Sequence, residues 1–451
     1  MKLAEALSGA AGPAGIRWVV SGPEMRAVIK SELEALLEDG HVVDDCALRR
    51  AKFKPGRKLT AYYDVDLRDA AGRVIPPRPI AVTWGAAFGE ASPAAAGAAP
   101  FRMLEARCTR LGMRILVSPF DERFPELATL SDPRCVAELA GRPVASVTPV
   151  RYRPGQRHVL AYDEKGGSER FFGKISHANA DGGPFRAAAA AGHWLDEVTA
   201  AIRPFAQSGR AVFYPVVRGV PVSHEIVRRA SAVPAELHNA GALLRRLHLM
   251  PGIDGLHDHG FAAEVAATAR ASEHVGAFSP RLERKIQHVL ASARALHGKV
   301  PQEPPGFVHG DFKCDHVLVS PDETLTLIDF DSARTADAAL DVGKMLADLH
   351  WWHQGRTESA FERAQRWFLD GYAPEAPPVR ILRARLYEAV LLVKIAVRRV
   401  PVFDASWTSS VWSLVGRAES VVARATEEGD GARRARFSPA AKGCVKQASS
   451  P

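Results

Sequence analysis

Cysteine is scarce in this chain, and long apolar runs are missing. The five cysteines among 451 residues, Cys46, Cys108, Cys135, Cys314 and Cys444, are odd in number and scattered. They form no CxxC pair and no Cys/His spacing suited to zinc. That excludes a disulfide framework as the organising device and fits a reducing, cytoplasmic setting. In Met1-Lys2-Leu3-Ala4-Glu5 a carboxylate stands where a signal peptide needs an unbroken apolar stretch. No segment reaches the roughly 20 apolar residues of a membrane-spanning helix, so a soluble chain with no membrane partner is expected. A long basic run interleaved with aromatics is also lacking. The formal charge is +8, but the arginines are spread along the chain, and no nucleic-acid partner is expected. Nothing in the sequence fixes the oligomeric state.

What is present is ample apolar material, 47% of the residues, enough for two or three domains of ordinary size. Met25 to Leu37 has helical periodicity. Ala51 to Leu67 reads as two strands around Lys54-Pro55-Gly56-Arg57. Ala87 to Pro100 is almost entirely alanine, glycine, proline and serine, the composition of a flexible loop. From Val147 the chain again reads strand, Pro-Gly turn, strand: Arg153-Pro154-Gly155-Gln156-Arg157 echoes Lys54-Pro55-Gly56-Arg57-Lys58. A third strand follows each copy, Pro79 to Trp84 and Arg170 to Ser176. The pattern predicts a duplicated β-subdomain, and only the second copy carries a lysine, Lys174, inside its third strand, where it could hold a triphosphate. Helical patterns dominate beyond Pro184, interrupted by a β-branched run from Ala211 to Val217. From about Glu427 the composition turns polar, small and basic, which predicts disorder.

The chemistry gathers in Phe307-Val308-His309-Gly310-Asp311-Phe312-Lys313-Cys314-Asp315-His316, followed by Leu325-Thr326-Leu327-Ile328-Asp329-Phe330-Asp331. A polar loop leads into two short apolar strands, the second ending in carboxylates. Phosphoryl transfer asks a protein for an acceptor-orienting base, metal-holding carboxylates and positive charge against the phosphates. Asp311 can supply the first, Asp329 the second and Lys313 the third. Asp331 reads either as a further metal ligand or as a cap for the next helix. Cys314 has no neighbour in sequence that would activate its thiol.

This segment resembles the aminoglycoside phosphotransferase and choline kinase branch of the protein-kinase-like fold, whose catalytic loop reads H-G-D-x-x-x-x-N and whose metal strand ends I-D-F/W-x-D/E. The resemblance spans roughly Val144 to Ala425. It implies an α+β bilobal fold, a small antiparallel β N-lobe followed by a helical C-lobe, and the extra β-containing cap before it is similar to that of maltokinase-like sugar kinases. The implied division is a cap over 1–140, an N-lobe and hinge over 141–220, a C-lobe over 221–426 and a disordered tail over 427–451. It further implies that Lys174 holds the α- and β-phosphates, that Glu197, with Asp196 competing, is its acidic partner, and that Val216 and Val217 belong to an adenine-binding hinge. Asp341 resembles the aspartate that braces the catalytic loop.

The family's second metal ligand is asparagine, and here that position is His316. Imidazole offers nitrogen to a cation that prefers oxygen. Four readings stay open: manganese or another borderline metal, direct phosphate contact, a single metal, or impaired turnover. The resemblance implies ATP and Mg2+ (or Mn2+) as cofactors and a small-molecule hydroxyl acceptor, namely a sugar, an aminocyclitol or an antibiotic. The alternative is a nucleotide-binding pseudokinase with a regulatory role.

Overall fold

The structure, a computed structural model, describes residues 2–85, 96–167, 169–195, 201–229 and 233–437. After three helices (Leu3–Ser8, Gly12–Ser21, Pro23–Glu34) comes a five-stranded antiparallel sheet. Its spatial order is Val42–Lys54, Lys58–Arg68, Val74–Trp84, Met113–Val117, Glu105–Cys108. Alternation decides which face is covered. Leu59, Ala61, Tyr63, Val65 and Leu67 are buried together with Ile16, Val20, Ile29 and Leu33 from the helices. Full burial of each large aliphatic contributes about 1.5–3 kcal/mol. The other face carries Arg50, Lys52, Thr60 and Tyr62.

A second five-stranded sheet follows, in the order Val144–Arg153, Arg157–Glu164, Arg170–Ser176, Ala211–Pro215, Ala206–Ser208. The three-strand meander of the first sheet is thus repeated. Both hairpins close on the same pairing, Lys54 with Lys58 and Arg153 with Arg157, and each first strand has two register shifts. Both turns place glycine in the left-handed region, Gly56 at φ 63° and Gly155 at φ 68°, a conformation glycine adopts without a Cβ penalty. The second turn is docked on the first sheet. Gly155 N–H donates to Asp121 Oδ2 at 2.7 Å, and Gln156 Nε2 donates to the Tyr62 hydroxyl at 2.9 Å. A cavity of about 410 Å³, lined by Lys52, Tyr62, Arg123 and Gln156 among others, lies in this seam.

Beyond Val222 the chain is helical, interrupted by two small three-stranded sheets. One joins Val220–Pro221, Val317–Val319 and Leu325–Leu327, and the other joins Asp258–His259, Arg334–Ala336 and Gly306–Val308. The helix Pro378–Arg399 is buried nearly all round between Leu386 and Val397 and is correspondingly central. Its one fully buried guanidinium, Arg383, is held by Asp337 and Glu303. No helix among the described residues is long and apolar enough to cross a membrane.

Three expectations change. The helix beginning at Trp407 runs to Phe437, so the disorder expected from Glu427 does not begin there: no proline interrupts the run, and its alanine, arginine and glutamate residues are good helix formers. Residues 438–451 lie outside the described residues, as do 87–95 of the expected loop, while Ala96–Ala98 pairs with Phe101–Met103. The strand expected from Ala211 to Val217 ends at Pro215, opposite Phe171, because proline has no N–H to continue a ladder.

Candidate active site

The loop His309-Gly310-Asp311 leaves the strand Gly306–Val308 and is gripped from beneath. Asp341, fully buried in the first turn of Ala339–Trp352, accepts the backbone N–H groups of His309 (2.7 Å) and Gly310 (2.8 Å) and faces His248 Nε2 at 3.3 Å. Burial alone would raise its carboxyl pKa. The His248 hydrogen bond and charge, with the backbone donor, outweigh it and hold Asp341 below the usual carboxylate range. His309 donates from Nε2 to Ile328 O at 3.0 Å and accepts the Asp311 N–H at Nδ1 (3.3 Å). Burial pushes its pKa down, so it is a neutral structural link between loop and metal strand. Gly310 has φ 77°, and a Cβ there would stand 2.0 Å from the Ser332 carbonyl. Gly310→Ala is therefore expected to lower stability by at least about 3 kcal/mol, or to displace the loop with loss of activity. Urea unfolding and turnover of the variant check this.

Asp311 sits between two ammonium groups, Lys313 Nζ at 2.7 Å from Oδ2 and Lys344 Nζ at 2.9 Å from Oδ1. Burial opposes its ionisation, but Lys344, His316 and Lys313 hold it well below the ordinary carboxylate range. Lys344 lies three residues after Asp341 on the same helix, hence on the same face. Cys314 N–H bonds to Asp348 Oδ2 at 2.9 Å, and burial pushes its thiol well up, leaving it chemically quiet. Trp352 donates its indole N–H to the same Asp348 oxygen at 3.1 Å, and Trp351 and Trp352 pack half-buried against the core.

Asp329, two residues beyond the strand Leu325–Leu327, has φ 71°, one of two non-glycine residues at positive φ among those described, and strain of this kind gathers at functional sites. Lys174 Nζ is 2.8 Å from Asp329 Oδ1 and 3.5 Å from Asp331 Oδ1, and 5.3 Å from the centre of the Tyr214 ring. Arg157 Nη1 lies 3.7 Å from Asp331 Oδ2. Burial weakens the lysine's charge, yet Asp331 and Asp329 together raise its pKa. The two carboxyls are driven apart. Asp329 is lowered because Lys174 and His316 outweigh its burial, and Asp331 is raised because burial and the Asp329 charge outweigh Lys174.

His316 bridges the two halves. Its Nδ1 is 3.0 Å from the Asp311 carbonyl oxygen and its Nε2 is 3.2 Å from Asp329 Oδ2. Burial pushes it down to about 3, so at neutral pH the ring has one proton for two acceptors. With that proton on Nδ1, the Nε2 lone pair converges with a carboxylate oxygen. Their separation matches adjacent ligands of an octahedral cation at roughly 2.2 Å bond lengths. The donor set fits a divalent cation completed by other ligands. Among the described residues no group of three or more His, Cys, Asp or Glu side chains is disposed to hold one unaided.

Of the residues singled out in sequence, Lys174, Asp311, Lys313, His316, Asp329 and Asp331 converge here. Val216 and Val217 lie in the segment joining the second sheet to Val220–Pro221, with Val216 exposed. Glu197, like Asp196, is outside the described residues. Sequence reasoning missed Lys344, Arg157 and Tyr214. Only the basic character of the Arg153–Arg157 turn could have pointed to Arg157.

A family model described as the phosphotransferase enzyme family matches residues 155–378, and no curated protein matches the chain. Similar solved structures include spectinomycin phosphotransferase APH(9)-Ia in complex with ADP and spectinomycin, at 12% identity and TM-score 0.45, covering 65% of this chain and 96% of that one. A choline/ethanolamine kinase family protein from Mesorhizobium loti gives 14% identity and TM-score 0.44, covering 64% and 93%. Aminoglycoside phosphotransferase APH(3'')-Id from Streptomyces rimosus gives 17% and 0.42, covering 61% and 99%.

Proposed function

We propose that this chain transfers the γ-phosphate of ATP to a hydroxyl of a small molecule, a reading supported by the match of residues 155–378 to the phosphotransferase enzyme family. The observation that carries the reading is the pairing of an ionised Asp311, clasped by Lys313 and Lys344, with the Lys174–Asp329–Asp331 cluster across His316. In the transfer, the bond from acceptor oxygen to γ-phosphorus forms as the bond to the β-phosphate oxygen breaks. The acceptor proton passes to Asp311 and on to solvent, and ADP leaves. Asp311 is a weak base, which suits a loose transition state in which the hydroxyl must be aligned more than deprotonated. Lys313 and Lys344 stand where charge on the transferring group is stabilised.

Lys174 would exchange its carboxylate contacts for the α- and β-phosphates, and the backbone of Val216 and Val217 would meet the adenine. Asp329 and His316, with Asp331 beside them, would hold Mg2+ or Mn2+, which when bound screens the phosphate charges. A cytoplasmic location follows from the use of ATP. The pseudokinase alternative gains no support from the site, since nucleotide binding alone gives no reason to keep Asp311 ionised between two lysines.

Nucleotide use is tested by thermal shift with ADP, where ligand at about 100 times its Kd stabilises by about 2.7 kcal/mol. The metal assignment is tested through His316→Asn. Mn2+ binding to the ADP complex, read by paramagnetic resonance, is expected to weaken about tenfold or more in the variant, while Mg2+ turnover improves relative to Mn2+. Equal behaviour of wild type and variant with both metals would remove His316 from the metal site.

A further inference from the structure

Next to the phosphate end of the site lies a group of cations with almost no counter-charge. Arg50 and Lys52 project from the same face of the first sheet's edge strand, where they pair with Tyr62 and Thr60. Arg151 and Arg153 lie on the second sheet's edge strand, and Arg157 begins the next. Arg398 comes from the end of Pro378–Arg399. Contacts join the three parts: Arg50 Nη2 donates to Arg398 O at 3.1 Å, Lys52 Nζ donates to Gln156 Oε1, and Arg157 reaches Asp331. Asp331 is the only carboxylate among the described residues within ion-pair distance of this group, and it meets only Arg157.

The absence of partners is local. Elsewhere on the first sheet most guanidinium groups are matched: Arg49 meets Asp64 at 2.5 Å, Arg68 meets Asp44 at 2.6 Å and Arg114 meets Glu105 at 2.7 Å, while Arg78 donates to backbone carbonyls. The unmatched group weakens its own charges. Burial and the fields of Arg153, Arg50, Arg398 and Arg157 push Lys52 down to about 7, and Arg153 falls to about 9 for the same kind of reason. Half-buried repulsion of this kind disfavours the fold unless an anion offsets it.

The nucleotide does not account for that anion. Inside the site, Asp311, Asp329 and Asp331 already face Lys174, Lys313, Lys344 and Arg157, and MgATP adds about two net negative charges. Arg50, Lys52, Arg151, Arg153 and Arg398 remain over. The group reaches the site through Arg157, which meets Asp331 at 3.7 Å, and through Arg151, which lies in the field of Asp329 and Asp331; Arg399, next to Arg398, meets Asp315 at 3.5 Å, four residues beyond Asp311.

We propose that the acceptor is itself an anion, a small hydroxyl compound bearing a phosphate or carboxylate that rests on Arg50, Lys52 and Arg153 while its hydroxyl meets Asp311. This rests on the phosphotransferase reading above and makes the first sheet a wall of the acceptor site. A polycationic aminocyclitol would be repelled.

The test uses the full chain saturated with ADP, titrated calorimetrically with inorganic pyrophosphate and, separately, with citrate. Pyrophosphate is expected to bind without displacing ADP, and the double variant Arg50→Gln/Lys52→Gln to bind it at least about tenfold more weakly with ADP affinity unchanged. Binding of citrate at comparable strength would assign a carboxylate-bearing acceptor, and its absence a phosphate-bearing one. The ligand-free double variant is expected to melt no lower than wild type, since relieved repulsion stabilises, whereas a merely structural pair would lower the melting point. The proposal is overturned if pyrophosphate fails to bind the ADP complex, if it competes with ADP, or if the double variant binds it equally well. Failure of ADP itself to bind strikes the nucleotide reading instead.

Discussion

Asp311→Asn is expected to lower phosphate transfer by about 10³–10⁴-fold while ADP affinity holds or tightens. The side chain keeps its size, so the loop, fixed by Asp341 through the N–H groups of His309 and Gly310, has no reason to move. What is lost is the charge. The acceptor hydroxyl then meets an amide that cannot take its proton, and Lys313 and Lys344, each within 3 Å of the carboxylate, lose the anion that compensates them. Uncompensated lysines attract phosphate, hence the retained or tighter nucleotide binding. Single-turnover transfer measured beside ADP titration separates the two effects. A fall of less than about tenfold, or a parallel loss of ADP binding, would remove Asp311 from the role given to it here.

Asp341→Ala is expected to destabilise the protein by about 3–5 kcal/mol at neutral pH. Two buried backbone donors lose their only described acceptor, and His248 loses its facing carboxylate. Asp341→Asn, which keeps one acceptor oxygen, should cost less. The pH dependence has a definite sign. The folded carboxyl lies below its ordinary range, so its contribution is present above the unfolded value of about 3.9 and is lost as pH falls through the lower folded value. The deficit of Asp341→Ala relative to wild type should therefore shrink in acid. Urea denaturation at pH 7 and near pH 3 measures it, and a deficit equal at both would mean that burial, not ionisation, sets the cost.

Much of the site is legible in the chain because it is local. The run from Gly306 to Ala336 folds into short strands in sequence order, so the spacing of His309, Asp311, Asp329 and Asp331 already encodes which groups meet. Lys174 was legible for another reason: the hairpin occurs twice, and only one copy places a lysine in its third strand. His316 shows where spacing stops being informative. Its mismatch with the family pattern is visible in sequence and leaves four readings open; the structure adds that the ring nitrogens face Asp311 O and Asp329 Oδ2.

What the sequence by itself determined was the family resemblance and the cluster of candidate residues within one local segment. Tertiary structure alone decided the rest, because those contacts join distant parts of the chain. Lys344 reaches Asp311 only because its helix docks Asp341 beneath the loop. Arg157 reaches Asp331 because the second hairpin folds over the metal strand. Lys52 meets the Arg153–Arg157 turn and Arg50 the end of Pro378–Arg399 because the first sheet packs one face on its helices and leaves the other free for these contacts. Periodicity shows that a strand has two faces, but what the second face meets depends on packing across hundreds of residues.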